Sequence, residues 1–204
     1  MIESFSNNSE ISGKELEKSN NNNEFNLDTS QPLDFSNNES DSFSIEKDDN
    51  GKIYKENGEL LPNIEYTVRG YNYRTDDNGR IIIASGDLQW KNHEGRLDIL
   101  DNIHDIGNGD ERQTDDRGHL IADEFNGSNG KENLVPMDSE LNRHGDYRKL
   151  EREWEQALYD KRSVHVKIEP EYSGDSKRPD SFYVGYTIDG IYYEKNFLNE
   201  GALK

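Results

Sequence analysis

The 204-residue chain contains no cysteine. That excludes a disulfide framework, a thiol nucleophile and any zinc or iron–sulfur site built on thiolates, and it leaves the compartment open. Apolar residues make up 30% of the sequence, against about 45–50% in ordinary globular chains. The longest uninterrupted aliphatic run, Ile81 to Ala84, is far short of the roughly 20 apolar residues that span a bilayer, so no membrane association is expected. The opening residues MIESFSNNSE carry neither a basic region nor an apolar stretch, and no ordinary secretory leader is legible in them. Export would need another route, with a cytoplasmic location as the alternative. Basic charge is also short: 24 Lys and Arg face 43 Asp and Glu, for a net charge of −19.

What is present divides the chain in two. Residues 1–50 hold twelve acidic side chains, three lysines, ten Asn and ten Ser, including the run Asn20 to Asn23. Such a segment buries too little apolar surface to offset its chain entropy, so a disordered acidic tail or linker is expected there. Phe5, Phe25, Phe35 and Phe43 are isolated within it, and nothing periodic relates them. Residues 51–204, with 31 acids and 21 bases, are long enough for one domain with a single modest core.

Within that domain the signals are mostly β. Tyr66 to Thr75 reads as one strand, Asn78-Gly79 as a two-residue turn and Arg80 to Leu88 as the returning strand. A polar stretch with Gly107, Gly109 and Gly118 reads as an exposed loop. Tyr147, Leu150, Trp154 and Leu158 recur at helical spacing behind Gly145-Asp146, which predicts an amphipathic helix of about four turns. Val164, Val166 and Ile168 alternate with polar residues as a half-buried strand. Phe182 to Ile188, Asp189-Gly190 and Ile191 to Phe197 then repeat the hairpin pattern.

Candidate chemistry gathers in three places. Asp115-Asp116-Arg117-Gly118-His119-Leu120-Ile121 delivers one histidine from a charged, Gly-containing turn into an apolar run. Such a His titrates near neutrality, can take a proton from water, and has Arg117 nearby to meet negative charge; the same pattern also suits a surface or structural residue. Asn133-Leu134-Val135-Pro136 follows, then Leu141-Asn142-Arg143-His144-Gly145 and the helix containing Glu151. Two Asn and a Glu suit magnesium, which takes hard oxygen ligands and keeps several waters, but Asn133 and Asn142 also suit turns and caps. His93, His104 and His165 lack paired zinc spacing and read as structural, and His144 as a helix-entry residue. Trp90 and Trp154 read as core or boundary anchors rather than base-stacking platforms.

Together, DDRGHLIADEF, NLVP and LNRHGDYRKLE resemble the DNA/RNA non-specific endonucleases of the ββα-metal (His-Me finger) superfamily. The likeness extends over residues 66–200, in the version found as the C-terminal toxin domain of Gram-positive polymorphic toxins; residues 1–50 lie outside it. The resemblance implies an α+β fold in which two antiparallel strands and a helix, around residues 116–160, clasp a metal ion on a larger antiparallel sheet. It places His119 as the general base and Arg117 near the scissile phosphate, where it offsets charge that grows in the transition state. Asn142 becomes the protein ligand of magnesium, with manganese as the alternative ion, and Glu151 the carboxylate that orients metal-bound water. Asn133 and Asp116 take supporting places. The implied activity is hydrolysis of DNA, with RNA as a second substrate, in a secreted toxin with a cognate immunity protein and a type VII-like export route.

Two tensions accompany this expectation. Nine residues separate Asn142 from Glu151, which puts them on opposite faces of a continuous helix. Either Gly145 interrupts the helix or Glu151 stands outside the site, with Asp146, four residues after Asn142, in reserve. The other tension is electrostatic, because a polyanion must bind an acidic chain. Arg143, Arg148, Lys149 and Arg152, with Arg143 and Arg148 as the substrate-binding candidates, and the pair Lys177-Arg178 supply local basic charge; they equally suit a solvated face. Net charge alone would favour a rival, an acidic non-catalytic binding protein such as a nucleic-acid mimic or nuclease inhibitor. Such a protein has no use for Arg-Gly-His followed by Asn and Glu.

Overall fold

The computed structural model describes residues 43–99 and 101–200. Most of the expected acidic tail lies outside them. Its last residues do not: strand β1 (Ile45–Lys47) pairs antiparallel with β2 (Ile53–Glu56), which pairs in turn with β3 (Glu59–Leu60). Asp48 explains why this acidic segment is ordered. Its carboxylate accepts backbone N–H bonds from Asn50, Lys52 and Thr67, closing the turn and tying it to the next sheet.

That next sheet holds six antiparallel strands. They are β4 (Glu65–Val68), β5 (Tyr71–Thr75), β6 (Ile81–Asp87) and, after an interruption, β9 to β11. Where the sequence predicts one strand over 66–75, the chain makes a hairpin of its own. Arg69 and Gly70 both adopt positive φ (54° and 81°), the geometry of a tight two-residue turn whose twist matches the flanking strands. The turn at Asn78-Gly79 follows, longer than the two residues expected because the Asp76 N–H bonds the Arg80 carbonyl around residues 77–79; the Asp76 carboxylate holds it, accepting from the Asn78 and Arg80 backbone and from the Arg80 guanidinium.

The interruption holds the candidate site residues. The stretch read as a loop contains a short helix α1 (Ile103–Gly107), started by a reciprocal cap between Asn102 and Asp105. Strand β7 (Asp115–His119) then pairs antiparallel with β8 (Leu134–Asp138), His119 opposite Leu134. Gly118 permits the close approach, since a Cβ there would stand 2.4 Å from that of Met137. Helices α2 (Ser139–Arg143) and α3 (Asp146–Tyr159) complete the finger. Asp138 caps α2 by accepting from the Glu140 and Leu141 backbone. The chain then returns through β9 (Val164–Glu171), β10 (Ser181–Ile188) and β11 (Ile191–Leu198), giving the order β11-β10-β9-β6-β5-β4. This is the expected α+β architecture, dominated by antiparallel sheet.

The core joins finger to sheet through aromatics. Trp154 of α3 meets Phe125 and Tyr186 edge-on at 6.3 and 5.7 Å between centroids, and Tyr147 packs on Phe182 and Phe197. Each such burial contributes about 1.5–3 kcal/mol before chain entropy is counted. Three tyrosine hydroxyls then fasten the segment after His119. Tyr66 donates to the Glu132 carbonyl, Tyr71 to that of Phe125 and Tyr147 to that of Leu120. A flexible-looking sequence is therefore held between sheet and helix. Among the described residues no helix is long and apolar enough to cross a membrane.

Candidate active site

A cavity of about 370 Å³ opens where β7, α2 and α3 converge, and His119, Asn142 and Glu151 all line it. The nine-residue separation is resolved by Gly145. Helix α2 ends at Arg143 and α3 restarts at Asp146, with Gly145 as its N-cap in an extended conformation that breaks the helix between Asn142 and Glu151. A side chain at 145 would collide with Leu141, its Cβ falling 2.8 Å from the Leu141 Cα. Asp146 stays outside: it is exposed, pairs with Lys149, and lines a different cavity.

Each of the three side chains is held by definite partners. Asn142 donates its Nδ2 to the Asp116 carboxylate at 3.0 Å. An ionised carboxylate only accepts, so the amide nitrogen is committed to Asp116 and Oδ1 is the end left for the cavity. Burial pushes Asp116 upward, but the Arg143 guanidinium and the Asn142 amide outweigh it and hold the carboxyl below its ordinary value. Glu151 is 8% exposed, and burial raises its pKa to about 7 against the opposing pull of Arg148, whose Nη1 donates to Oε2 at 2.9 Å. His119, also 8% exposed, is shifted below its ordinary value by burial, with the bond to Asn129 opposing and the positive charge of Arg96 adding to the fall. Its imidazole is therefore neutral at pH 7, the form that accepts a proton.

Comparison with known proteins decides the family. Residues 62–190 match the sequence profile of the DNA/RNA non-specific endonucleases. The chain belongs to that family. It is a hydrolase acting on nucleic acids, and the rival reading as a non-catalytic mimic falls away. The chain is 38% identical over 153 residues to the type VII secretion system protein EssD of Staphylococcus aureus, in strains USA300 and NCTC 8325. That match takes in 69% of this chain but only 24% of the EssD length, so the chain spans about a quarter of these relatives. Among solved structures, NucA from Streptococcus agalactiae with a magnesium ion bound superposes with a TM-score of 0.53 at 15% identity, covering 79% of this chain and 85% of that one. Its metal-free form gives 0.50 at 15% identity, over 72% and 78%. Likeness at this level shows a shared fold.

Within this endonuclease fold, the remaining sequence-predicted residues fall into two groups. Asn133 is fully buried and does not reach the cavity. Its Nδ2 donates to the Ile121 and Ser128 carbonyls while its Oδ1 accepts from the Ile121 backbone, cross-linking the segment after His119. Arg143 and Arg148 line the cavity, though each is paired, with Asp116 and Glu151 respectively. Arg117 departs from expectation. Its guanidinium donates to the carbonyls of Ile99 and Asp101 and is not among the side chains lining the cavity. The carbonyl-rich loop before α1 draws it away. Arg178 departs too: it is 5% exposed, bonded to both Asp115 oxygens at 2.7 and 2.8 Å and to the Asn199 carbonyl. It joins β7 to the end of β11 and offers nothing to a phosphate.

Sequence reasoning missed Lys91, Arg96, Asp123 and Asn129. Lys91 and Arg96 line the cavity from the loop after β6, which has no periodicity to flag it. His93, read as structural, lies in the same loop with Nε2 3.5 Å from Asp123 Oδ1. Asn129 sits in Asn-Gly-Ser-Asn-Gly, a composition that signals only a turn. Of the two tryptophans, Trp154 is core and Trp90 is a half-exposed boundary residue beside Phe125.

Proposed function

We propose that the chain is a magnesium-dependent, sequence-non-specific endonuclease that cuts DNA, with RNA as a second substrate. The convergence of His119, Asn142 and Glu151 on one cavity carries this reading. The donor set fits a hard divalent ion: an amide oxygen committed to the cavity by Asp116 and a carboxylate within it, with no thiolate anywhere. Among the described residues no cluster of three His, Asp or Glu gathers to hold a metal alone, as suits an ion that keeps waters and phosphate oxygens for its other positions. Asn142 would hold it, with Glu151 orienting its waters; manganese is the alternative. When bound, the ion supplies charge to stabilise the departing 3′ oxygen.

The chain's own residues do the rest. His119 takes the proton of the attacking water. Arg96 and Lys91 replace Arg117 as the cavity cations that meet the scissile phosphate. Arg143 and Arg148 line the cavity themselves and can turn from their carboxylates to the backbone of the nucleic acid. The cationic side chains lining the cavity suit contacts to the phosphate backbone, which carry no sequence information.

The likeness to a type VII secretion system protein supports a place among exported toxins or effectors, with an immunity protein as the cognate partner. The residues ahead of β1 would then act as an acidic tail or linker before the nuclease domain, which takes in residues 45–50 as β1 and its turn. The test is cleavage of two unrelated linear DNA duplexes and one RNA by metal-stripped protein, before and after magnesium is restored. We expect both duplexes to be cut at similar rates, leaving 5′-phosphate ends, only with the ion present. Cutting in EDTA, or of one sequence alone, would overturn the reading.

A further inference from the structure

The Nε2 of His119 has a side-chain partner of its own. It lies 2.5 Å from Asn129 Oδ1, and Asn129 Nδ2 donates to Asp123 Oδ1 at 2.9 Å. All three residues are less than one-tenth exposed. Each end of the Asn129 amide can be assigned from chemistry. A carboxylate accepts and does not donate, so the nitrogen faces Asp123 and the oxygen faces His119. A neutral imidazole carries one N–H, and the nitrogen that meets an acceptor carries it. The hydrogen is therefore on Nε2, and Nδ1 holds the lone pair.

We propose that Asn129 and Asp123 are positioning residues: Asp123 orients the Asn129 amide, which fixes the His119 tautomer and makes Nδ1 the atom that takes the proton from water. The inference rests on His119 being the base and names how that base is set. Asn129 is itself held on both sides. Asn133 Nδ2 donates to the carbonyl of Ser128, the Ser128 hydroxyl bonds Glu132, and Glu132 pairs with Lys55 of β2 at 3.1 Å. Asp123 has side-chain nitrogens near both oxygens, His93 Nε2 at 3.5 Å from Oδ1 and Lys91 Nζ at 4.0 Å from Oδ2. The arrangement also serves the next moment of the reaction. Once Nδ1 has taken the proton, Nε2–H still donates to Asn129, and the Asp123 charge two bonds away favours the imidazolium.

The test combines tautomer and rate. In the full chain labelled with ¹⁵N at histidine, the His119 signals are identified by their loss in His119→Ala, and long-range proton–nitrogen correlation shows which nitrogen bears hydrogen. We expect Nε2–H in the wild type and a mixed or inverted tautomer in Asn129→Ala and in Asp123→Asn. The rate constant kcat for DNA cleavage should fall roughly 10- to 100-fold, the usual range for partners behind a site's ligands, with KM within about twofold. The double variant Asn129→Asp/Asp123→Asn reverses donor and acceptor between the two positions while keeping their volumes, and should recover the Nε2–H tautomer and most of kcat. A residue that only supported the fold would not be rescued by that exchange. Hydrogen on Nδ1 in the wild type, or an unchanged tautomer and kcat in Asn129→Ala, would overturn the inference. A wild type with the expected tautomer that cuts no nucleic acid would instead overturn the nuclease reading.

Discussion

The six-stranded sheet and the finger between β6 and β9 are built on opposite principles. Along β5 and β9 the inward positions are Tyr71, Tyr73, Val164, Val166, Ile168 and Pro170, apolar or aromatic and buried, with Thr75 the one polar residue among them. In the finger, the buried residues include His119, Asp123, Asn129, Glu132, Asn133 and Glu151. Burying apolar area stabilises, whereas burying ionisable groups costs stability unless each is paired. The finger is therefore the part that the sheet and α3 must hold in place. The tyrosine hydroxyls of β4, β5 and α3 bonded to its carbonyls show where that support is applied.

Several substitutions would sharpen this contrast. The largest effect is expected from His119→Ala. It should lower DNA cleavage by about 10²–10⁴-fold, the range of a positioned general base, while the melting temperature moves by only a few degrees; plasmid nicking and a thermal melt on the same sample check both. Next comes the sheet. Ile168→Ala, at the centre of β9 between Val184 and Ala84, should cost about 2–5 kcal/mol in denaturant unfolding and leave the cleavage rate per folded molecule unchanged. A comparable loss of rate at low temperature would show that the two regions are not separable.

Glu151→Gln should move stability and activity in opposite directions. The folded carboxyl keeps its proton to about pH 7, whereas the unfolded one releases it near 4.5. Folded protein thus binds the extra proton between those values, and stability falls as pH rises through that window. Gln removes the loss, so the variant should be more stable than the wild type at pH 8 by on the order of 2–3 kcal/mol, equal near pH 4.5, and much less active. Unfolding curves at the two pH values decide it.

The smallest effect is the pH limb of His119. Its depressed value keeps His119 neutral below 6.5, so on acidification kcat/KM should fall first as Glu151 takes its proton near pH 7 and again as pH drops through the lowered value of His119. The same residue adds stability above about 6.5 that is lost as pH falls toward that value, because the unfolded histidine protonates first. A rate profile with no second fall below 6.5 would contradict the burial argument for His119.

Much of this was legible in the sequence, for reasons tied to particular residues. Strict alternation in Val164 to Ile168 and the Asp189-Gly190 turn reveal the final strands, and Trp154 with its helical neighbours reveals α3. His119, Asn142 and Glu151 are marked by motif order. What escaped depends on contacts that spacing does not encode. The Arg69-Gly70 hairpin hides because Arg is an uncommon residue at positive φ. Arg117 and Arg178 look alike as cations, yet one meets backbone carbonyls and the other a buried Asp115. Asn129 lies in a turn-like run, and only the fold brings it beneath His119.

The most direct test of the account is a double-mutant cycle on Asn142 and Glu151, read as the magnesium-dependent rate of plasmid nicking by wild type, Asn142→Ala, Glu151→Gln and the double variant. If the break at Gly145 brings both side chains to one ion, each single change should slow nicking strongly, and the double variant should be little slower than the worse single. A wild-type rate in Glu151→Gln, or two losses that multiply in full, would contradict it.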